Sequence, residues 1–390
     1  MKRRILITID IAVCVLFAMM LVVPFATSDF VGGKVSKAEN RVLATAPDWT
    51  DPLNTDFPEA AEAWIDDNIG LRAKAQEVNT TVQWEVLNAS GKEDTIVGED
   101  GWLFYYTDWI GQDFCHTNQL SEDEMNNLMY NMEMVCDYIR EQDASPLLVM
   151  LPDKKTIYRD KYPKGLVVAD QPSRADNIYA SAQQHKLPMM WICGRLIEAR
   201  NLGYVYSPRL DNAHWNTLGA YVGVEEVCKA LKDIYLPSLT YVPLPECTIE
   251  EFEQTGKLND SVEITETDYR VLTGNEGTWT DDSAYLDRFP ALTYAEDPYD
   301  WKVRRVNQDS TKPKLLWVGD SYTLKMFEYL SQNFSEFTFL HLTDMTQLPE
   351  MMADLKPDAV VIEWVERQYG LASNKLWELA TKIWNLKHPS

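Results

Sequence analysis

Four short apolar runs punctuate the chain: Pro146–Leu151, Met189–Ile192, Leu315–Val318 and Ala359–Ile362, each bounded by polar residues. Runs of this length without polar alternation are what strands buried on both faces require. Between them the apolar positions change to a helical period, over 121–142, 173–185, 217–233, 322–334 and 371–386. In the last of these, Leu376, Leu379, Ile383 and Leu386 fall on one face. Strands alternating with helices predict an α/β fold with a doubly wound, mostly parallel sheet. A further helix is predicted over 58–88, where Ala61, Trp64, Ile65, Ile69 and Leu71 mark one face. From about 236 to 313 the alternation stops. That stretch is acidic, aromatic and rich in turn signals such as Gly274-Asn275-Glu276-Gly277, and reads as an insertion with short strands, placed where it covers a site.

The N-terminus has a different pattern. Met1-Lys2-Arg3-Arg4 precedes Ile5–Ala26, which is apolar apart from Thr8 and Asp10 and about the length that crosses a bilayer. A basic cluster before an apolar span stays in the cytoplasm, so the expectation is a single-pass cell-membrane protein with its main domain extracytoplasmic. The competing reading is a signal peptide cleaved near Ala26-Thr27-Ser28, against which stand Pro24 and the length of the run. The expected plan is an anchor over 1–28, a stalk over 29–57 marked by Gly32-Gly33, Pro47 and Pro52, and one large domain over 58–390.

Composition narrows the partners. A chain that is 45% hydrophobic is no disordered protein, and a net charge of −24 argues against nucleic acid and against docking on anionic lipid. Cys14 lies in the expected anchor, leaving Cys115, Cys136, Cys193, Cys228 and Cys247 outside, where disulfides persist but where spacing does not give the pairing. No CxxC pair, HExxH or Cys/His cluster marks a metal site.

Two segments carry chemistry. In Leu315-Leu316-Trp317-Val318-Gly319-Asp320-Ser321-Tyr322 a buried strand runs into Gly-Asp-Ser and then a helical pattern. That places Ser321 at the carboxyl edge of the sheet, where open α/β sheets bind ligands and where backbone N–H groups favour an oxyanion. A serine nucleophile needs a base, and of five histidines His214 has the suggestive setting, Arg209-Leu210-Asp211-Asn212-Ala213-His214-Trp215-Asn216 before a helix. The acid and amide beside it offer an orienting group for one ring nitrogen while the other faces the serine.

The segments DNAHWNTLGAY and LLWVGDSY resemble the His and Ser motifs of SGNH-like O-acetyltransferases of the alginate AlgX and AlgJ type, and of the related DHHW proteins. Further similar segments follow in the same order: Glu39-Asn40-Arg41, Asp66–Arg72, Gly98–Phe104, Pro152-Asp153-Lys154 with Tyr158, and Glu363–Arg367. One position departs. The family places its acid two residues before the histidine, which here is Asn212, whereas Asp211 keeps the Asp-x-x-His spacing of the wider SGNH hydrolases. Three readings follow: Asp211 orients His214, Asn212 does so as an amide, or the triad is damaged and the protein only binds its polymer. Asp211 is the reading adopted.

The resemblance implies transfer of an acetyl group to hydroxyls of a cell-envelope or exported polysaccharide through an acyl-serine, with a membrane-bound O-acyltransferase as donor and no cofactor. It also implies Tyr322, Lys154 and Arg367 as oxyanion or substrate-binding residues, while Trp102 and Phe104 read as packing. An acetyl esterase with the same residues and a non-catalytic polysaccharide-binding or assembly protein are the alternatives.

Overall fold

The computed structural model describes residues 2–28, 35–36, 41–50, 53–258, 262–293 and 301–388. It divides into two compact units, Met1–Lys92 with Gly256–Ile264, and the remainder of the chain.

The first unit contains α1 (Lys2–Ala26), the paired two-residue strands β1 (Val35–Ser36) and β2 (Arg41–Val42), α2 (Phe57–Asn68) and α3 (Arg72–Glu85). The single helix expected over 58–88 is therefore two. The break falls at Ile69–Leu71, where Leu71 takes a left-handed φ of 63°. Gly70 approaches α1 so closely that a Cβ there would strike Thr27 and Pro24, and its N–H donates to the Pro24 carbonyl at 3.0 Å. A close approach to a second backbone, which only glycine allows, stops the helix that periodicity alone would continue. Among the described residues no helix is long and apolar enough to cross a membrane. The anchor expected over 1–28 falls partly on residues 1–9, whose side chains lie outside the described residues, as do Gly32-Gly33 and Glu39-Asn40 of the expected stalk.

The second unit opens with the hairpin β3 (Thr95–Val97) and β4 (Leu103–Tyr105), then α4 (Asp108–Phe114), α5 (Glu122–Glu141), β5 (Ser145–Leu151), α6 (Lys154–Ile157), α7 (Arg174–Gln184), β6 (Met189–Trp191), α8 (Cys193–Ala199) and α9 (Thr217–Ile234). After the two-stranded β7 (Thr248–Leu258) and β8 (Val262–Leu272), of which 256–258 and 262–264 belong to the first unit, come β9 (Trp279–Asp281), β10 (Arg304–Asn307), β11 (Lys314–Gly319), α10 (Phe327–Asn333), β12 (Glu336–His341), α11 (Leu348–Leu355), β13 (Ala359–Val365) and α12 (Tyr369–Lys387). The central sheet runs β6-β5-β13-β11-β12-β10-β9. Its first five strands are parallel, and β10 and β9 add an antiparallel edge drawn from the stretch read as an insertion. The fold is thus mixed α/β around a mostly parallel sheet.

The buried strands feed two cores by alternation. Leu147, Val149, Leu315, Trp317 and Val361 point to the face covered by α8, α9 and α10. Leu148, Met150, Leu316, Val318, Val360 and Ile362 point to the face covered by α5, α7, α11 and α12. A period of two with both faces apolar is the reason these strands read as unbroken hydrophobic runs. The helix α7, which crosses from β5 to β6, packs on one face and α10, which crosses from β11 to β12, on the other; at the carboxyl edge of an open α/β sheet such a change of face is where ligands bind. Among the described residues every cysteine is a free thiol, and burial pushes those of Cys136 and Cys228 up to about 12.

Candidate active site

Ser321 stands two residues beyond Gly319, the last residue of the central strand β11, at the start of a short 3-10 turn, Ser321–Lys325, that leads into α10. The turn is tight because of what lies beneath it. At Gly319 a Cβ would collide with the carboxyl of Glu363, the hydroxyl of Thr323 and the ring nitrogen of Trp317, so no larger residue fits before the Asp-Ser step. Asp320 points inward and accepts the amides of Tyr322 at 2.9 Å and Val365 at 2.8 Å. Glu363 lies beside it on β13, accepting from the Thr323 hydroxyl at 2.7 Å and the Asp320 amide at 3.2 Å. Burial, and then the charge of the neighbouring Asp320, push the Glu363 carboxyl well above the usual carboxylate range. Ser321 is left part-exposed at the rim, and its N–H donates to no described residue.

His214 arrives on a loop that the sheet does not hold, so its backbone has to be satisfied in other ways. An antiparallel bridge between Tyr206 and Trp215 closes the loop at its base. Above the bridge, Leu103 N–H donates to the Pro208 carbonyl at 2.9 Å and Tyr105 N–H to the Asn212 carbonyl at 2.7 Å. Lys154 Nζ donates to the Pro208 and Asp211 carbonyls at 3.2 and 2.9 Å, and Tyr322 OH to the Ala213 carbonyl at 2.6 Å. On the other side Glu266 of β8 accepts the Arg209 and Leu210 amides at 2.7 and 3.2 Å and bonds the Ser207 hydroxyl. The Trp215 indole then donates to the Tyr322 carbonyl at 2.9 Å, locking this loop to the segment that carries Ser321.

Held in this way, His214 Nε2 lies 2.8 Å from Ser321 Oγ, across 107 positions of sequence. Its Nδ1 lies 3.0 Å from Asp211 Oδ2. The other Asp211 oxygen accepts the amides of Ala213 and His214 at 2.9 and 2.8 Å. Burial pushes the Asp211 carboxyl up, but the hydrogen bond and charge of His214 and these two amides outweigh it and hold the group below the usual carboxylate range. Asp211 is therefore an anion at neutral pH. It fixes the Nδ1–H tautomer, which leaves Nε2 free to accept the Ser321 proton. Asn212 faces away and donates to the Thr95 hydroxyl at 2.5 Å, so of the two orienting residues weighed from sequence the structure brings only Asp211 to the ring.

The three residues assigned to oxyanion or substrate binding sit elsewhere. Lys154 is 1% exposed beneath the loop, between the rings of Trp102 and Phe104. Tyr322 is fully buried, and Arg367 donates at 2.8 Å to Asp153 and at 3.0 Å to the Tyr322 hydroxyl. Lys154 and Tyr322 hold the loop bearing Asp211 and His214 by its carbonyls, and Arg367 braces the Tyr322 hydroxyl through one guanidinium nitrogen. Below them a buried group of opposite charges, Lys155 with Asp113 at 3.0 Å and Glu366 at 2.9 Å, and Arg174 with Asp113 at 3.1 Å, ties α4, α6 and α7 together. Sequence reading missed Glu266 and the Asp320–Glu363 pair. Glu266 lies in an acidic stretch where one carboxylate looks like the next, whereas Glu363 is a lone acid in an otherwise buried strand, which was a usable signal.

Burial lowers the Lys154 amine to about 7. The unfolded chain keeps its proton to about pH 10.4, so between these values folding releases a proton and this residue makes stability rise with pH. Lys154→Met is expected to flatten that rise in urea-unfolding midpoints measured from pH 7 to 10. It should also lower stability by about 1–3 kcal/mol through the abandoned carbonyls. An unchanged pH slope would show that Lys154 folds with its proton.

A family model of the SGNH hydrolase-like domain, acetyltransferase AlgX, matches residues 95–339, more than half of the chain. Among solved structures, Bacillus cereus PatB1 with a sulfonyl adduct superposes with a TM-score of 0.51 at 14% identity, over 73% of this chain and 96% of that one. The O-acetyltransferase domain of Pseudomonas putida AlgJ aligns at 15% identity and a TM-score of 0.45, over 76% and 99% of the two chains. A DHHW family protein from Eubacterium siraeum aligns at 15% identity and 0.48, over 75% and 96%. No curated protein matches the sequence. PatB1 shares the fold, and the matched span runs from the hairpin that supports the histidine loop through the Ser321 turn; the chain belongs to the SGNH hydrolase-like family of the acetyltransferase AlgX.

Proposed function

We propose that this protein is an O-acetyltransferase that carries an acetyl group on Ser321 and passes it to a hydroxyl of an extracytoplasmic polysaccharide. The observation that carries the reading is the hydrogen-bonded line Ser321–His214–Asp211, with links of 2.8 and 3.0 Å at the carboxyl edge of the sheet. As Ser321 Oγ attacks the acetyl carbonyl, its proton goes to His214 Nε2, and Asp211 stabilises the imidazolium. The Ser321 amide lies at the attacked centre and serves as an oxyanion donor. Collapse expels the donor's leaving group with the proton from His214. A sugar hydroxyl then attacks the acetyl-serine, gives its proton to His214, and releases Ser321 as the alcohol.

The same proposal places α1 in the membrane and the second unit outside, beside a membrane-bound O-acyltransferase that supplies acetyl. Support comes from the apolar side chains exposed around α1, including Ile11, Val15, Phe17, Leu21 and Phe25. Rapid quenching of the enzyme with p-nitrophenyl acetate and mass spectrometry of the Ser321 peptide is the test. An acetylated Ser321 that passes its acetyl to an added oligosaccharide faster than to water is the expected result. Acetyl lost only to water would make the protein an esterase, and no acetyl-serine at all would leave a binding protein.

A further inference from the structure

Away from Ser321, α5 and α12 pack side by side and leave a groove of about 690 Å³ between their first halves. Its flanks are two aromatic rings turned to solvent, Tyr130 at 55% and Trp377 at 57% exposure. Its lining between them is amide and hydroxyl: Asn127, Asn131, Asn374 and the phenol of Tyr369. Asn131 is the residue that asks for a ligand. It is 9% exposed, it lines the groove, and its carboxamide bonds no described residue, so what the residue still exposes is turned into the groove and is free to bond a ligand. The one carboxylate on the lining, Glu124, is already engaged by the amide and hydroxyl of Ser121 at the start of α5, at 2.8 and 2.7 Å. The groove therefore offers aromatic faces and neutral hydrogen-bonding groups, with no free cation to receive a polyanion.

Pyranose rings match that inventory, since they carry apolar C–H faces that lie on aromatic rings and hydroxyl pairs that bond carboxamides bidentately. The groove's place in the fold gives it a use. α12 begins just past the end of β13, which neighbours β11 in the parallel sheet, and α5 runs into the start of β5, so its first half lies back at the carboxyl ends of the strands. The groove is at the sheet edge that carries Ser321. Its floor is braced from below, where the Arg174 guanidinium lies 4.7 Å from the Tyr369 ring centre and donates to the Glu366 carbonyl at 3.1 Å.

We propose that the groove between α5 and α12 is a secondary glycan-binding site, which holds an uncharged stretch of polysaccharide while another residue of the same strand is acetylated at Ser321. Naming the ligand rests on the acetyltransferase reading; the groove's affinity for sugar does not. The test is titration of the full-length protein, as wild type and as Ser321→Ala, with cellohexaose and with chitohexaose, followed by tryptophan fluorescence and calorimetry. At least one hexasaccharide is expected to bind both proteins equally. Trp377→Ala should weaken it about tenfold or more, the loss of one good stacking contact, while turnover of a small acetyl ester and the thermal midpoint stay as in wild type. If neither hexasaccharide binds, or if Trp377→Ala binds as well as wild type, the site is not there. If Trp377→Ala instead changes the sedimentation mass and leaves sugar binding intact, the face is a protein interface and the proposal fails. Sugar binding lost in Trp377→Ala, in a wild type that forms no acetyl-serine, would keep this site and remove the transferase reading.

Discussion

Ser321→Ala is expected to lower turnover of a chromogenic acetyl ester by about four to six powers of ten, and His214→Ala by nearly as much, with little further loss in the double variant. The reason is geometric. At 2.8 Å the imidazole and hydroxyl act as one unit, so removing either member leaves the other with nothing to activate or to be activated by. Both variants should fold, because the Ser321 hydroxyl bonds His214 alone among the described residues and the loop around His214 is fixed by other residues. Losses that add, with the double variant far below either single one, would mean that the two residues serve separate steps, and the acyl-serine scheme would be abandoned.

Asp211→Asn is expected to cost about 10⁴ in turnover, the size of the loss when the equivalent acid of serine proteases becomes an amide. An amide at this position no longer stabilises imidazolium, and its NH₂ group, if turned to the ring, selects the wrong tautomer. The amide bonds from Ala213 and His214 can persist on its oxygen, so the thermal midpoint should fall far less than activity does. Asn212→Ala is the contrasting variant: it removes the 2.5 Å bond to Thr95 and should cost about 1 kcal/mol of stability with turnover per folded molecule nearly unchanged. Should Asp211→Asn leave turnover intact, the carboxylate is only a loop brace and His214 is oriented by something else.

The parallel strands and the serine were legible in the sequence for one reason. A strand buried on both faces shows as an uninterrupted apolar run, and Leu315–Val318 ends directly in Gly-Asp-Ser, so the edge of the sheet and the nucleophile were announced together. His214 was legible by its neighbours rather than by periodicity. What stayed hidden was set by contacts distant in sequence. The break at Leu71 depends on the approach of Gly70 to α1, and periodicity within 58–88 carries no trace of it. Lys154, Tyr322 and Arg367 were marked as important by the motifs they sit in, but motifs do not say which way a side chain turns. The structure turns all three toward the histidine loop and its supports, where their donors meet backbone carbonyls, a carboxylate and one another. The Asp-x-x-His spacing favours Asp211 over Asn212; what the sequence did not show is how the carboxylate reaches the ring from there, through the turn it forms with the two amides that follow.

The supports of the histidine loop also set a timetable for folding. They come from Thr95, 117 positions before Asn212, from Glu266, 57 beyond Arg209, and from Tyr322, 109 beyond Ala213. Each contact closes a long segment of chain, and that entropy is spent before the contact returns anything. A chain emerging from its N-terminus has made His214 long before it has Tyr322 or Ser321 to dock it on. The imidazole therefore has no dock until Ser321 and Tyr322 are made, and a chain released short of them holds its histidine but has no acyl chemistry.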